Sequence, residues 1–324
     1  MKKISIITPC FNEEQNVRDC HMRLRQIMKK SLPNYDYEHI FADNSSTDHT
    51  VQILKDIALE DYRVKIIVNS RNVGPFRNMW NAMKSATGEA VIPLLPADLQ
   101  DPPEVIPQFV ERWELGDLIV YGVRRNREES LLMRTLRNVY YRTIARLAEA
   151  DIPRDSGEFL LVDQKVAQSV LAVDDTYPYI RGLIAQTAVR SSSVEYTWQR
   201  RKQGRSRNSF VDLLDQAING LVSTSRIPAR IALLTGFILS LLGIVGAIVT
   251  LISTLISRQG VMPGIPTLIV AVFCFGGFNL LFLGLIGEYV LSIHSQVRRA
   301  PAMFELERVN FETKDTKHDN LDSH

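Results

Sequence analysis

The chain has 324 residues, with 38 Lys+Arg against 36 Asp+Glu for a formal net charge of +2. That length suggests about two domain-sized units. The near balance of charge argues against a dedicated nucleic-acid binder, which carries a strong basic excess. Cys10, Cys20 and Cys274 share no metal-ligand spacing and leave an odd count, so they point to a reducing compartment and imply no disulfide framework.

Met1–Pro9 holds two lysines and a very short apolar run, too short for the core of a signal peptide, so the N-terminus is expected to stay cytoplasmic. Ile4–Ile7 is β-branched and apolar, and Pro9 and Asn12 end it. Glu13–Lys30 carries Val17, Leu24, Ile27 and Met28 on one helical face. Tyr37–Ala42 predicts the next strand, closed by Asp43-Asn44-Ser45-Ser46. Thr47–Leu59 predicts a helix capped by Ser46 or Thr47. Val64–Val68 is a third strand, Arg77–Ala86 a third helix ended by Gly88, and Ala90–Leu95 a fourth strand. Such alternation predicts an α/β, Rossmann-like fold with a mainly parallel sheet. Ligands of such sheets bind beyond the carboxyl ends of the strands. Pro9–Glu13, Asp43–Asp48, Ser70–Gly74 and Pro96–Asp101 all lie there and are expected to converge on one crevice. Further on, Asp117–Val123, Phe159–Val162 and Ser193–Trp198 read as strands, and Leu131–Leu147 and Gln164–Leu171 as helices.

The mean hydropathy of −0.04 hides an uneven distribution. Ile231–Ile256 and Ile265–Gly287 carry no charged residue, and each satisfies the roughly 20 residues that cross a bilayer. Arginines and lysines cluster before the first run (Arg200 to Arg230) and after the second (Arg298, Arg299), while the connecting loop holds only Arg258. The positive-inside rule then puts both ends on the cytoplasmic side of a two-span hairpin. Phe210–Ile227 repeats apolar residues at helical spacing, which suits an interfacial helix or an ordinary core-facing one. The expected organisation is a globular domain at 1–209, an amphipathic helix at 210–229, two membrane helices at 230–294 and a charged, partly disordered tail at 295–324.

Asp98 and Gln100 stand two apart in an extended segment and project on one side. Their oxygens suit Mg²⁺ or Mn²⁺, which would hold a diphosphate as a leaving group. Taken alone, the stretch is equally a solvated turn with a helix N-cap.

The ordered set narrows this. TPCFNEE at Thr8–Glu14, ADNSSTDHT at Ala42–Thr50, SRNVGPFRN at Ser70–Asn78 and PADLQDPPE at Pro96–Glu104 resemble the family-two glycosyltransferases of the GT-A fold, specifically the polyprenyl-phosphate branch. DSGEFLLVDQ at Asp155–Gln164, YIRGL at Tyr179–Leu183, RKQGRSRNS at Arg201–Ser209 and GLIGEYVLSIHSQVRRAP at Gly284–Pro301 are similar to its later blocks. The resemblance covers about Met1–Met303.

The resemblance implies that Pro9, Phe11, Glu13, Asp43, Asn72 and Gly74 line the nucleotide-sugar pocket, together with Asp98. An aromatic ring at Phe11 suits stacking on a base, and also suits core packing. The family's Asp-Gly-Ser reads Asp43-Asn44-Ser45 here. Asp98 and Gln100 take the metal-ligand positions for Mg²⁺ or Mn²⁺, while Pro96 replaces the first acid of the motif. Asp98 and Asp155 are the catalytic candidates, Asp155 either as base or as sugar contact. Arg124, Arg134, Arg201, Arg205 and Ser206 match the acceptor-phosphate side, where the last three also read as a basic juxtamembrane patch. Glu288 reads as a snorkelling or Arg-paired residue.

The implied enzyme is an inverting, membrane-bound hexosyltransferase that moves glucose from UDP-glucose to undecaprenyl phosphate. It would sit in a bacterial plasma membrane with both termini cytoplasmic, take a nucleotide sugar and a polyprenyl phosphate, use no nucleic acid, and is compatible with a homo-oligomer. The alternatives are a GDP-mannose-dependent synthase and a catalytically dead scaffold of a lipid-sugar flippase.

Overall fold

The computed structural model describes residues 1–125, 153, 156–173, 178–199, 265–297 and 303–311, with isolated positions between 235 and 252. The chain divides into two compact units, one comprising 1–138, 150–207 and 301–324, the other 139–149 and 208–300.

The first unit is built on an eight-stranded sheet. Its strands are β1 (Lys2–Cys10), β2 (Tyr35–Asp43), β3 (Val64–Asn69), β4 (Ala90–Ile92), β5 (Ile119–Arg125), β6 (Ser156–Asp163), β7 (Ser191–Thr197) and β8 (Glu305–Val309). The spatial order is β7-β5-β6-β4-β1-β2-β3-β8. β4, β1, β2 and β3 run parallel, as the strand-helix alternation predicts. β6 enters antiparallel between β4 and β5, and β7 lies parallel to β5.

The helices are α1 (Val17–Ser31), α2 (Thr50–Glu60), α3 (Pro75–Lys84), α4 (Ile106–Glu114), α5 (Gln164–Leu171) and α6 (Ile180–Gln186). They cover both faces because successive strand residues point to opposite sides. In β1, Ile4 and Ile6 pack with Leu24 and Met28 of α1 and Phe109 of α4. Ile7 turns to the other face, with Met79 and Trp80 of α3 and Val166 of α5. In β2, Phe41 joins Leu54 and Ile57 of α2, while Ile40 and Ala42 face α3. Strands buried on both sides read as continuous apolar runs, which is why β1 and β6 were legible.

Several boundaries differ from the sequence expectation. β4 stops at Ile92, where Pro93 has no N–H for the ladder. Helix α4 was not anticipated, because Pro102, Pro103 and Pro107 masked its start. Its first turn tolerates proline, where the amide hydrogens lack helical partners anyway. Within the tail, which the sequence reads as charged and partly disordered, Glu305–Val309 forms a strand that pairs antiparallel with β3. An edge strand is held by backbone bonds, so a run as polar as Glu-Leu-Glu-Arg-Val can form one.

In the second unit, α7 (Ile265–Val297) is a 33-residue helix. Leu268, Val272, Leu280, Leu283 and Leu291 are exposed along it, and the Asn279 amide donates to Phe275 O at 2.9 Å, one turn back. Counted over the described residues alone, no helix is long and apolar enough to cross a membrane. The sequence from Ile265 to Gly287 carries no charged residue. The interfacial helix and most of the first span lie outside the described residues.

Candidate active site at the carboxyl ends of the parallel strands

Cys10 and Asp43, the last residues of β1 and β2, are in register, so the two following loops start side by side. They are tied together. Asn12 N donates to Ser46 Oγ at 2.9 Å, Thr47 N to Asn12 Oδ1 at 2.7 Å, and Glu13 N to Thr50 Oγ1 at 2.9 Å. Asn12 and Ser45 adopt φ of 56° and 66°, a left-handed turn that short polar residues tolerate better than most. The position where the family carries glycine is Asn44, and it does something glycine cannot. Its Nδ2 donates to Asn72 Oδ1 at 2.8 Å, and its Oδ1 accepts from Val73 N at 2.9 Å. Asn72 Oδ1 also accepts from Gly74 N at 2.9 Å. The Asp43–Asp48 and Ser70–Gly74 loops are therefore one hydrogen-bonded unit, and Gly74, at φ 86°, takes a backbone conformation that L side chains avoid.

Asp43 is fully buried. Its Oδ2 accepts from Ser46 N at 2.9 Å, and its Oδ1 has no partner among the described residues. Burial raises its pKa, against the lowering effect of the Ser46 and Ser45 bonds. A buried carboxylate oxygen without a donor is costly and is satisfied by an N–H or O–H brought in from outside.

The Pro96–Asp101 loop closes as a turn, with Leu99 N donating to Pro96 O at 3.0 Å. Leu99 sits at φ 55° because its side chain is anchored in the core with Leu95. That leaves Asp98 and Gln100 half-buried on either side of it. Asp98 Oδ1 accepts from Gln100 N at 3.2 Å. Gln100 O accepts from Gln199 N at 2.9 Å, which docks the loop on the segment after β7. Asp98 and Glu13 both act on the Cys20 thiol. Burial first pushes that thiol up to about 12, the Thr8 bond opposes, and the charges of Asp98, Asp19 and Glu13 add. Asp43, Glu13 and Asp48 likewise add to the burial that raises Cys10. Leu95 N donates to Ile7 O at 2.8 Å, so the fourth loop starts beside the end of β1.

Among the described residues no three His, Cys, Asp or Glu side chains gather as a metal site. The donor set of Asp98 and Gln100 nonetheless fits a hard cation of the Mg²⁺ type, which needs only one or two protein carboxylates when water and phosphate complete its shell.

Asp101, the second acid of the loop, has a different task. It is 2% exposed and accepts from Arg124 at 3.0 and 2.7 Å and from Tyr196 OH at 2.6 Å. Burial is the largest single effect on the Arg124 pKa and lowers it, but the charge and hydrogen bonds of Asp101 together with Tyr196 outweigh it and raise the pKa, so this guanidinium stays charged. Arg124 is therefore bound to the second acid of the Pro96–Asp101 loop, an arrangement that sequence reading missed because Tyr196 lies so far along the chain. Close by, a Cβ at Gly157 would meet Arg124 Nη2 at 3.0 Å, so the glycine lets the guanidinium lie over β6. Arg181 donates to Tyr179 OH at 2.7 Å and to the Ser156 carbonyl, and lies 3.9 Å from Glu158. Burial raises the Glu158 carboxyl, with Arg181 and Arg124 opposing. Arg181 and Tyr179 come from the YIRGL block, whose place beside β6 the sequence left unstated. Arg134, Asp155, Arg201, Arg205 and Ser206 lie outside the described residues.

The glycosyl transferase family 2 profile matches residues 5–171, just over half the chain. The uncharacterized glycosyltransferase YkcC of Bacillus subtilis is 32% identical over 96% of this chain and 95% of its own. The uncharacterized glycosyltransferase sll0501 of Synechocystis is 33% identical over 92% and 93%. The SfII prophage-derived bactoprenol glucosyl transferase of Shigella flexneri is 28% identical over 92% and 96%. With the parallel strands, the bridged loops and the Asp98–Gln100 turn in the order of that family, the chain belongs to glycosyl transferase family 2 and is a glycosyltransferase.

Proposed function

We propose that the protein transfers a hexose, with glucose from UDP-glucose favoured, to a polyprenyl phosphate at a membrane surface, inverting the anomeric configuration. The observation that carries the donor side is the buried, partnerless Asp43 Oδ1. An N–H of the base or a ribose hydroxyl would satisfy it, with Phe11 and the Asn72–Gly74 loop alongside. Asp98 and Gln100 would hold Mg²⁺ or Mn²⁺, which supplies charge neutralisation of the diphosphate leaving group.

On the acceptor side, a lipid phosphate carries about −1.5 to −2 at neutral pH and is already a nucleophile. Its oxygen attacks the anomeric carbon, the carbon–oxygen bond to the diphosphate breaks, and the nucleoside diphosphate leaves with the electron pair. An α-linked donor gives a β-linked lipid-phosphate sugar. The protein's part is to position two anions, which needs fixed cations rather than a strong base. Arg124, with its geometry set by Asp101, suits this, and Arg134, Arg201, Arg205 and Ser206 are proposed to complete it. Asp155 would orient the sugar or take a remaining proton. The similarity over nearly full length to a bactoprenol glucosyl transferase supports the lipid acceptor.

Membrane attachment is part of this proposal. It rests on the uncharged runs Ile231–Ile256 and Ile265–Gly287 and their arginine-rich cytoplasmic flanks. As a helix at about 1.5 Å per residue, the uncharged sequence run Ile265–Gly287 would be long enough for the roughly 30 Å hydrocarbon thickness.

The test is incubation of the purified full-length protein with a divalent ion, undecaprenyl phosphate and a panel of labelled UDP- and GDP-sugars. Lipid-extractable label from UDP-glucose alone is expected. Label from GDP-mannose alone would select the mannosyltransferase alternative, and no label from any donor would defeat the proposal.

A further inference from the structure

The tail strand β8 pairs with β3 and reaches the start of the Ser70–Gly74 loop. Its register places Val309, Arg308 and Glu307 opposite Ile66, Ile67 and Val68, with an irregularity before Glu305 opposite Asn69. The pairing runs one residue past β3: Ser70 N donates to Phe304 O at 2.9 Å. Ser70 is the first residue of the loop that ends at Gly74.

Side chains hold the tail in place. Asn81 of α3 donates to Glu305, whose carboxylate also takes Arg308. Glu307 pairs with Lys55 of α2 at 2.6 Å. Asn310 Nδ2 donates to Ala58 O and Val64 O, each at 2.9 Å. Phe311 packs against the core on the α3 side.

The rest of the loop is tied to its neighbours: Val73 N donates to Asn44 Oδ1 at 2.9 Å. Asn72 leans on Asn44, and Asn78 N donates to Gly74 O at 3.2 Å at the loop's far end. Asn78 Nδ2 in turn donates to Ala42 O at 2.7 Å, beside Asp43. At its near end the loop's first amide is taken by the tail.

We propose that Phe304–Phe311 is a positioning element of the donor-nucleotide site: pairing with β3 and taking the Ser70 amide, it sets the Ser70–Gly74 loop against Asn44 and Asp43. This rests on the reading that the loop borders the nucleotide. A tail that merely closed a sheet edge would affect stability alone. A tail that sets the loop affects the donor and spares the acceptor.

The experiment uses full-length protein in detergent, titrated with UDP, and with GDP in parallel, in the presence of Mg²⁺. Two variants are compared: a chain ended after Ala302, and Asn81→Asp, which sets a like charge against Glu305 with the tail still attached. Both are expected to bind the nucleotide about tenfold more weakly, the scale of leaving one loop to be ordered by the ligand. The apparent KM for undecaprenyl phosphate should stay within about twofold, a shift too small to mark a lost contact. Adding the peptide Met303–Phe311 to the shortened chain should restore nucleotide affinity.

Wild-type affinity in both variants overturns the proposal. So does equal weakening toward donor and acceptor, or a loss that the peptide leaves uncorrected. If the shortened chain does not fold, Asn81→Asp decides alone, checked for an intact melting transition. If the full-length protein binds neither nucleotide, the functional reading fails and this inference falls with it. Full-length binding with unaffected variants defeats only the inference.

Discussion

Arg124 and Asp101 form a two-point ion pair, Nε to Oδ1 at 3.0 Å and Nη2 to Oδ2 at 2.7 Å, and join β5 to the loop that carries Asp98. Removing one partner of a buried pair leaves the other charge uncompensated. Asp101→Asn is expected to cost about 3 kcal/mol of unfolding free energy, at the low end for buried pairs because Arg124 keeps some exposure. Arg124→Lys should lose nearly as much, since a single ammonium cannot reproduce the fork. Urea unfolding measures both, and midpoints equal to wild type would mean that the pair does not hold the loop.

Pro96 stands where the family places an acid, and its carbonyl accepts the turn-closing bond from Leu99 N. Aspartate is favoured at the first position of such turns, so the backbone should accept Pro96→Asp. A further carboxylate should lower the Mn²⁺ concentration for half-maximal transfer several-fold. An unchanged metal requirement would place the cation elsewhere.

Glu38 of β2 is buried beside β1, with bonds from Ser5 at 2.5 Å, Lys65 at 2.7 Å and Thr87 N at 2.7 Å. Burial alone would raise its pKa, but the Lys65, Ser5 and Thr87 bonds together bring it down to about 2. A folded pKa below the unfolded value contributes stability that is present above about pH 4.5 and is lost as pH falls toward 2. Wild type should therefore exceed Glu38→Gln by on the order of 3 kcal/mol at neutral pH, with the gap closing through that window. A gap independent of pH would contradict the assignment.

Asp43 offers one satisfied and one partnerless carboxylate oxygen. Asp43→Asn should weaken UDP binding by about 10- to 100-fold, the worth of a hydrogen bond to a charged group. Its stability should rise or stay level, because the buried charge is gone. Calorimetric titration and a thermal melt read the two effects. Unaltered UDP affinity would remove Asp43 from the pocket.

The parallel half of the fold was legible because β1 and β3 carry apolar cores, β2 ends in the apolar Ile40-Phe41-Ala42, and their helices repeat at helical spacing. The loops at their ends followed from topology, and Asp98 with Gln100 from spacing and family order. The local sequence was silent where the site depends on distant partners. Nothing near Asp101 announces Tyr196 or Arg124, and nothing near Ser70 announces Phe304. Asn44 read as a lost glycine, whereas its amide bridges two loops. Edge strand β8 was hidden because backbone bonding, rather than an apolar stripe, makes it.

The central claim is that Asp98 serves the transfer of a sugar to a lipid phosphate. Full-length wild type and Asp98→Ala, matched by melting temperature, are to be assayed for lipid-extractable label from UDP-glucose with Mg²⁺ and undecaprenyl phosphate. The expected result is label from wild type and a drop of at least about 100-fold in the variant, as for loss of a group that stabilises a leaving anion. A variant that transfers at the wild-type rate would contradict the account.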